Sequence, residues 1–257
     1  RELCQRVNQA GHVLRQAGAG IEQRVLLCLD GGIDFVSVFW GAVKIGAVPV
    51  PVNPALTQDD YNGLLRDSRP RVVVSDLKGE MHFQSTVINQ NFPCRLLTAG
   101  ASQAGAGDLT KLMAAAPSAL EAAETTADDA AFWLYTSGST GVPKAVVHLH
   151  RSPIQTAVLY GQRVLRIGSS DRIFSAAKMF FAYGLGNSMT FPFSVGATSI
   201  VSACRPTPEN VLSVIDQHRP TVFCGVPTVY HNLLAHPEVD EASCLAAVRL
   251  YLSLIHI

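Results

Sequence analysis

The chain has 257 residues, 48% of them hydrophobic and 16% charged, enough for one or two cored domains at about 150 residues each. Twenty Lys plus Arg balance twenty Asp plus Glu, so no broad field draws the chain onto nucleic acid or an anionic membrane, and recognition has to be local. The most apolar stretch, 35–52, is broken by Lys44, Pro49 and Pro51 and is marginal for the ~20 residues of a membrane span, so neither a nucleic acid nor a membrane is expected as partner.

Cys4, Cys28, Cys94, Cys204, Cys224 and Cys244 never form a C-x-x-C pair. Their spacing predicts reduced, mostly buried thiols in a cytoplasmic protein rather than a disulfide framework or a zinc site. No signal peptide is visible, and the chain starts at Arg1 without a methionine.

Leu3, Val7, Ala10, Leu14 and Ala17 recur at helical spacing and Gly18 follows as a stop, which predicts an amphipathic opening helix. The apolar run 25–29, bounded by Asp30, Gly31 and Gly32, fits a strand buried on both faces. A helix over 35–45 and a strand over 47–52 come next. Thr57 and Asp60 have capping-box spacing and open a helix carrying Tyr61, Leu64 and Leu65, which Arg69-Pro70 ends before a strand at 71–75. Strand and helix alternate, the pattern of mostly parallel sheets covered by helices.

Residues 98–131 change to Ala, Gly, Ser and acidic side chains and read as a surface connection with a short helix over 112–120. The expected organisation is a first α/β half at 1–97, this variable connection at 98–131, and a second half at 132–250 with a helix at 209–218, a strand at 221–224 and a helix at 228–235. No internal sequence repeat is evident.

Phe132-Trp133-Leu134-Tyr135 is an aromatic strand that runs directly into Thr136-Ser137-Gly138-Ser139-Thr140-Gly141-Val142-Pro143-Lys144. Gly138 and Gly141 admit positive φ and leave no side chain in the way, so backbone N–H groups can converge on one anion. The hydroxyls of Thr136, Ser137, Ser139 and Thr140 add donors, and Lys144 supplies a cation. A lone G-x-x-G would read as a solvated linker; the complete string after an aromatic strand reads as a phosphate cradle. It is not a Walker loop, which needs G-x-x-x-x-G-K followed by Ser or Thr, because the spacing is G-x-x-G-x-x-K and Ala145 follows the lysine.

This string resembles the signature loop of the acyl-adenylate-forming (AMP-binding) superfamily: two hydroxyl residues, Gly, a hydroxyl residue, then Thr-Gly-x-Pro-Lys-Gly. The departure is Ala145 for the last glycine, which leaves the phosphate ligands in place. The resemblance extends over about 1–250. Gly46 to Pro54, Phe174 to Asn187 with Thr190-Phe191-Pro192, Arg205 to Pro208 and Arg219 to Thr228 are similar to the benzoate-CoA ligase group. It implies the large N-terminal domain of an AMP-forming acyl-CoA ligase, with an aromatic acid as substrate. It also implies ATP, Mg2+ and coenzyme A, and contacts from Thr136, Ser137, Gly138, Ser139, Thr140, Gly141 and Lys144 to the β- and γ-phosphates.

In that group the segment matching Phe181, Ala182, Tyr183 and Gly184 helps wall the acyl pocket; flat apolar walls accept a ring and a tyrosine hydroxyl can orient a polar edge. The alternative is that Phe180, Phe181 and Tyr183 are core aromatics. Lys178 could attract a carboxylate but reads better as solvated. His148 and His150 alternate with Val147 and Leu149 and read as polar strand-end positions rather than catalysts.

The resemblance implies that the acid attacks the α-phosphate of ATP to give an acyl-adenylate, from which coenzyme A displaces AMP. The family's catalytic lysine, adenine-stacking segment and metal-binding glutamate have no match here, and no metal ligand is assigned. An N-terminal fragment of the ligase, inactive alone, is therefore expected, with 251–257 as a non-native tail. The alternatives are a nucleotide-binding piece without activity and an adenylation domain that loads a carrier protein. Oligomeric state is not specified.

Overall fold

The computed structural model describes residues 1–88, 92–100, 107–136, 143–239 and 243–253. They form two compact units, Arg1–Arg151 and Ser152–Ile257.

The first unit runs α1 (Glu2–Gln16), β1 (Arg24–Cys28), α2 (Gly32–Lys44), β2 (Val48–Pro51), α3 (Gln58–Ser68), β3 (Val72–Asp76), α4 (Leu77–Phe83), β4 (Arg95–Ala99), β5 (Gly107–Asp108), α5 (Leu109–Ala115), β6 (Ala130–Thr136) and β7 (Lys144–Leu149). Five strands pair in parallel in the order β2-β1-β3-β4-β5. Val25 to Leu27 of β1 and Val72 to Val74 of β3 are fully buried, as the continuous apolar runs of a doubly covered parallel sheet require. Pro49 and Pro51 lack an N–H for a second ladder, which is why β2 lies at the end of this one. The predicted capping box is present: Thr57 Oγ1 accepts from the Asp60 N–H at 3.3 Å, and Asp60 Oδ2 accepts from the Thr57 N–H at 3.1 Å.

The segment predicted as a surface connection is built into this unit. β5 extends the sheet, and α5 occupies 109–115 instead of 112–120 because Asp108 accepts from the Lys111 N–H at 3.0 Å and so caps the helix earlier. The chain then runs along α1, whose Asn8 Nδ2, Gln9 Nε2 and His12 Nε2 meet the carbonyls of Ser118, Ala116 and Ala119 at 2.6, 3.3 and 2.7 Å. Polar α1 side chains thus satisfy the backbone of a stretch without its own periodicity.

The second unit runs α6 (Arg151–Thr156, starting on the first unit's last residue), β8 (Arg172–Ser175), α7 (Ala182–Leu185), α8 (Phe191–Val195), β9 (Thr198–Ile200), α9 (Pro208–His218), β10 (Val222–Cys224), α10 (Pro227–Leu234) and β11 (Leu250–Leu252). Its parallel sheet has the order β11-β10-β8-β9. The tail boundary expected at 250 falls inside β11, where Tyr251 and Leu252 pair with Phe223 and Cys224.

The two sheets repeat one topology, β2-β1-β3-β4 and β9-β8-β10-β11. The repeat is one of topology, and it stands beside the absence of an evident sequence repeat. α3 and α9 each have 11 residues, a Thr N-cap, and an arginine in the left-handed conformation at the C-cap, Arg69 at φ 44° and Arg219 at φ 46°. Arg24 Nε donates to Ser68 O at 2.7 Å and Arg172 Nε to His218 O at 2.8 Å. The shared positions are too few and too scattered to register as sequence similarity.

Burial pushes the thiols of Cys28, Cys94 and Cys224 up to about 12, so they stay protonated. Cys28 and Cys224 are buried, while Cys4 and Cys204 are exposed, so the mostly buried pattern holds for only part of the set. Among the described residues no helix is long and apolar enough to cross a membrane.

Two predictions follow from this packing. A Cβ on Gly41 would come within 2.8 Å of the Gly11 nitrogen and 2.9 Å of the Val7 carbonyl oxygen, both backbone atoms of α1. Gly41→Ala is expected to destabilise by about 1–3 kcal/mol, because overpacking outweighs the roughly 1 kcal/mol of helix propensity gained; urea unfolding measures the sign. At the amino ends of the second sheet, the Asp171 carboxylate accepts from Arg249 Nε and NH2 at 2.9 and 2.6 Å, Thr221 Oγ1 at 2.6 Å and the Gly168 N–H at 2.9 Å. The Arg249 hydrogen bonds foremost hold this carboxyl at about 2. Its ordinary value is about 3.9, so the stabilisation is complete above that value and disappears as pH falls through about 2. Asp171→Asn should cost about 1–3 kcal/mol at pH 7 and flatten the loss of stability between roughly pH 5 and 2.

Candidate active site

β6 and β7 form an antiparallel hairpin whose final pair is Thr136 opposite Lys144. Thr136 Oγ1 donates to Lys144 O at 3.5 Å, and both side chains are exposed. The other predicted loop residues, Ser137, Gly138, Ser139, Thr140 and Gly141, lie outside the described residues. What the structure provides is the base of the loop: two strands that bring the first hydroxyl and the lysine of the string to neighbouring positions.

That base is fixed by three contacts to the parallel sheet and its helices. Tyr135 Oη donates to Asp67 Oδ2, in the last turn of α3, at 2.6 Å. Burial first, and then the Asp67 carboxylate, push the Tyr135 hydroxyl upward, so it keeps the proton it donates. The Arg24 guanidinium lies 5.6 Å from the Trp133 ring centroid, and the Phe132 ring packs on Phe39 at 5.4 Å.

His148 stacks on Phe132 at 4.5 Å with an interplanar angle of 5°, and burial lowers its pKa. A neutral, stacked ring in the ladder is packing material, in keeping with the strand role read from its alternation. The His150 N–H donates to the Asp129 carbonyl at 3.1 Å, which closes the end of the hairpin.

In the second unit, Phe181, Ala182, Tyr183 and Gly184 lead into and open α7, beyond the carboxyl end of β8. β8 and β10 flank the point where the strand order reverses, the usual place for a ligand crevice in an open α/β sheet. Phe181 is 52% exposed and its ring lies 4.6 Å from that of Phe180, so it is a surface aromatic rather than a core one. Gly184 is buried with its Cα against the Lys178 and Ala177 carbonyl groups, and any side chain would collide with that backbone.

Hydrogen bonds engage two further side chains singled out in the sequence. The Tyr183 hydroxyl, expected to orient a polar edge of a ring, donates to Leu252 O at 2.8 Å and Gly225 O at 3.1 Å. Lys178, expected to be solvated, has its Nζ on the carbonyls of Ser202 and Ala203 at 3.2 and 3.0 Å. Its charge ties down the exit from β9.

Sequence reading missed Tyr230, whose hydroxyl reaches the same Leu252 carbonyl at 2.9 Å. A signal existed: Pro227 begins α10, which places Tyr230 one turn inside the helix and back over Gly225. Among the described residues no group of three or more His, Cys, Asp or Glu is placed to hold a metal ion.

Residues 1–254 match the family described as AMP-binding enzyme. A benzoate–CoA ligase of Thauera aromatica is 45% identical over 241 residues, 93% of this chain and 45% of the relative. A 4-hydroxybenzoate–CoA/benzoate–CoA ligase of Rhodopseudomonas palustris is 38% identical over 98% of this chain and 47% of the relative. The chain thus spans about half the length of the curated relatives it matches. Among solved structures, a benzoate CoA ligase from Burkholderia xenovorans LB400 superposes with a TM-score of 0.88 at 39% identity, over 98% of this chain and 49% of that one. An anthranilate CoA ligase in complex with anthranoyl-AMP gives a TM-score of 0.94 at 33% identity over the same shares. The family match runs past the boundary expected at 250, takes in both repeated sheets and includes the hairpin with its loop. The chain belongs to the AMP-binding enzyme family.

Proposed function

We propose that this chain supplies the phosphate loop and one wall of the acid pocket in a ligase that activates benzoate or a substituted benzoate and transfers it to coenzyme A. The observation that carries the reading is the closing pair of the hairpin. It puts a hydroxyl and a cation side by side at the two ends of a glycine- and hydroxyl-rich loop. The names of the most similar relatives, benzoate– and hydroxybenzoate–CoA ligases, support the aromatic acid.

In this reading an oxygen of the substrate carboxylate attacks the α-phosphorus of ATP. A new carboxyl–phosphate bond forms, the bond to the bridging oxygen breaks, and pyrophosphate leaves. The coenzyme A thiol, losing its proton, then attacks the acyl carbon and AMP departs. Two anions must meet in the first step, so the barrier is largely electrostatic. Thr136, Ser137, Ser139 and Thr140 would donate hydroxyls to the β- and γ-phosphates, Gly138 and Gly141 would bring backbone N–H groups close, and Lys144 would offset charge. Mg2+ enters as part of the substrate MgATP, and no step is assigned to it here. Phe181 and Ala182 would line the ring, with Tyr183 and Gly184 setting the depth of that wall.

Pyrophosphate exchange into ATP tests the reading. The whole protein should exchange in the presence of benzoate or a hydroxy- or aminobenzoate, and exchange with none of them would sink it. Lys144→Ala should raise the KM for ATP by about tenfold or more with the fold intact, as expected for the loss of one charge-assisted phosphate contact worth roughly 1.5–3 kcal/mol. Unchanged ATP kinetics in that variant would remove Lys144 from the phosphate site.

A further inference from the structure

We propose that Tyr230 is a positioning residue for the aryl-acid wall: through the Gly225 peptide and the Leu252 carbonyl it locks the Tyr183 ring, so this wall selects substrates by shape, with its hydroxyl proton withheld from them. The inference rests on the aromatic-acid reading above.

The Gly225 peptide is held between the two rings. Its N–H donates to Tyr230 Oη at 3.1 Å and to Leu252 O at 3.0 Å, while its carbonyl accepts from Tyr183 Oη at 3.1 Å. The Leu252 carbonyl is the common acceptor, with Tyr183 Oη at 2.8 Å and Tyr230 Oη at 2.9 Å. Tyr230 Oη also lies 3.1 Å from the Phe223 carbonyl, and the ring packs so closely that a Cβ on Gly225 would stand 2.9 Å from its Cε2 and Cζ. Each hydroxyl has one hydrogen, and buried carbonyls claim both.

Burial pushes both hydroxyls upward, that of Tyr230 to about 12, so both remain protonated donors at neutral pH. Turning the Tyr183 proton toward a ring substituent would leave a buried carbonyl short of a donor. Its ring is therefore a fixed surface as long as Gly225 and Leu252 stay where Tyr230 holds them. The free lone pair of Tyr183 Oη can still accept, so a donor such as a phenol or aniline is tolerated while an acceptor-only substituent is refused.

The test is a double-mutant cycle in the whole protein with Tyr183→Phe, Tyr230→Phe and both, reading KM and kcat for benzoate, 4-hydroxybenzoate and 4-nitrobenzoate and KM for ATP. Tyr230→Phe should raise the benzoate KM about tenfold with kcat and the ATP KM near wild type, and narrow the preference for benzoate over 4-nitrobenzoate. The double variant should match one single variant instead of multiplying their effects, since both act on one lock. Multiplicative effects, or a Tyr230→Phe variant that loses only thermal stability with every KM unchanged, would overturn the proposal. A wild-type protein active on aryl acids but showing that result refutes the lock alone; a wild type inactive on all of them refutes the aromatic-acid reading and the lock together.

Discussion

An arginine at the start of a strand, bound to the end of the helix that leads into the neighbouring strand, is the constraint on which both halves of this chain depend. The last carbonyls of a helix have no intrahelical donor, and Ser68 and His218 occupy such positions. Arg24 Nε and Arg172 Nε fill them at 2.7 and 2.8 Å, with the positive charge at the favourable end of the helix dipole. With the helix end pinned, Arg69 and Arg219 adopt a left-handed conformation that a non-glycine residue seldom takes, and the following proline sends the chain back into the sheet. The Arg71 N–H then bonds the Arg24 carbonyl and the Thr221 N–H the Arg172 carbonyl, each at 2.8 Å. β3 and β10 are thereby registered beside β1 and β8, which produces the same strand order in both sheets.

In the first unit this constraint extends to the β6–β7 hairpin. The helix end that Arg24 holds also carries Asp67, the acceptor for Tyr135, and the guanidinium lies over Trp133. β6 is therefore fastened at Trp133 and Tyr135, which are partly buried against the core of this unit. Fixed ends limit the cost of ordering any segment between two strands to the few residues that join them.

The second unit uses the same module differently. Beyond the carboxyl end of β8 come an exposed Phe181 and a buried Gly184, and the hydroxyls of Tyr183 and Tyr230 are committed to backbone carbonyls. Asp171 and Arg249 close the opposite end of that sheet, so the amino ends are joined by charge and the carboxyl ends by phenols. Charge thus joins the strands at one end of the sheet and neutral, protonated hydroxyls join them at the other.

The sequence by itself determined what depends on near neighbours. The Thr57 capping box, the fully apolar strands and the stop at Arg69-Pro70 are all set within a few residues, where propensity and capping act. Tertiary structure alone decided the rest. The Tyr183 hydroxyl and the Leu252 carbonyl are 69 residues apart, Asp171 and Arg249 are 78 apart, and Lys178 lies 25 from Ala203. A hydroxyl or ammonium group has no preference in sequence for one carbonyl over another; only the packing of distant strands chooses. The repeated topology was hidden for the same reason, since it is maintained by an arginine, a threonine cap and a helix length, while every residue between them is free to vary with the core it meets.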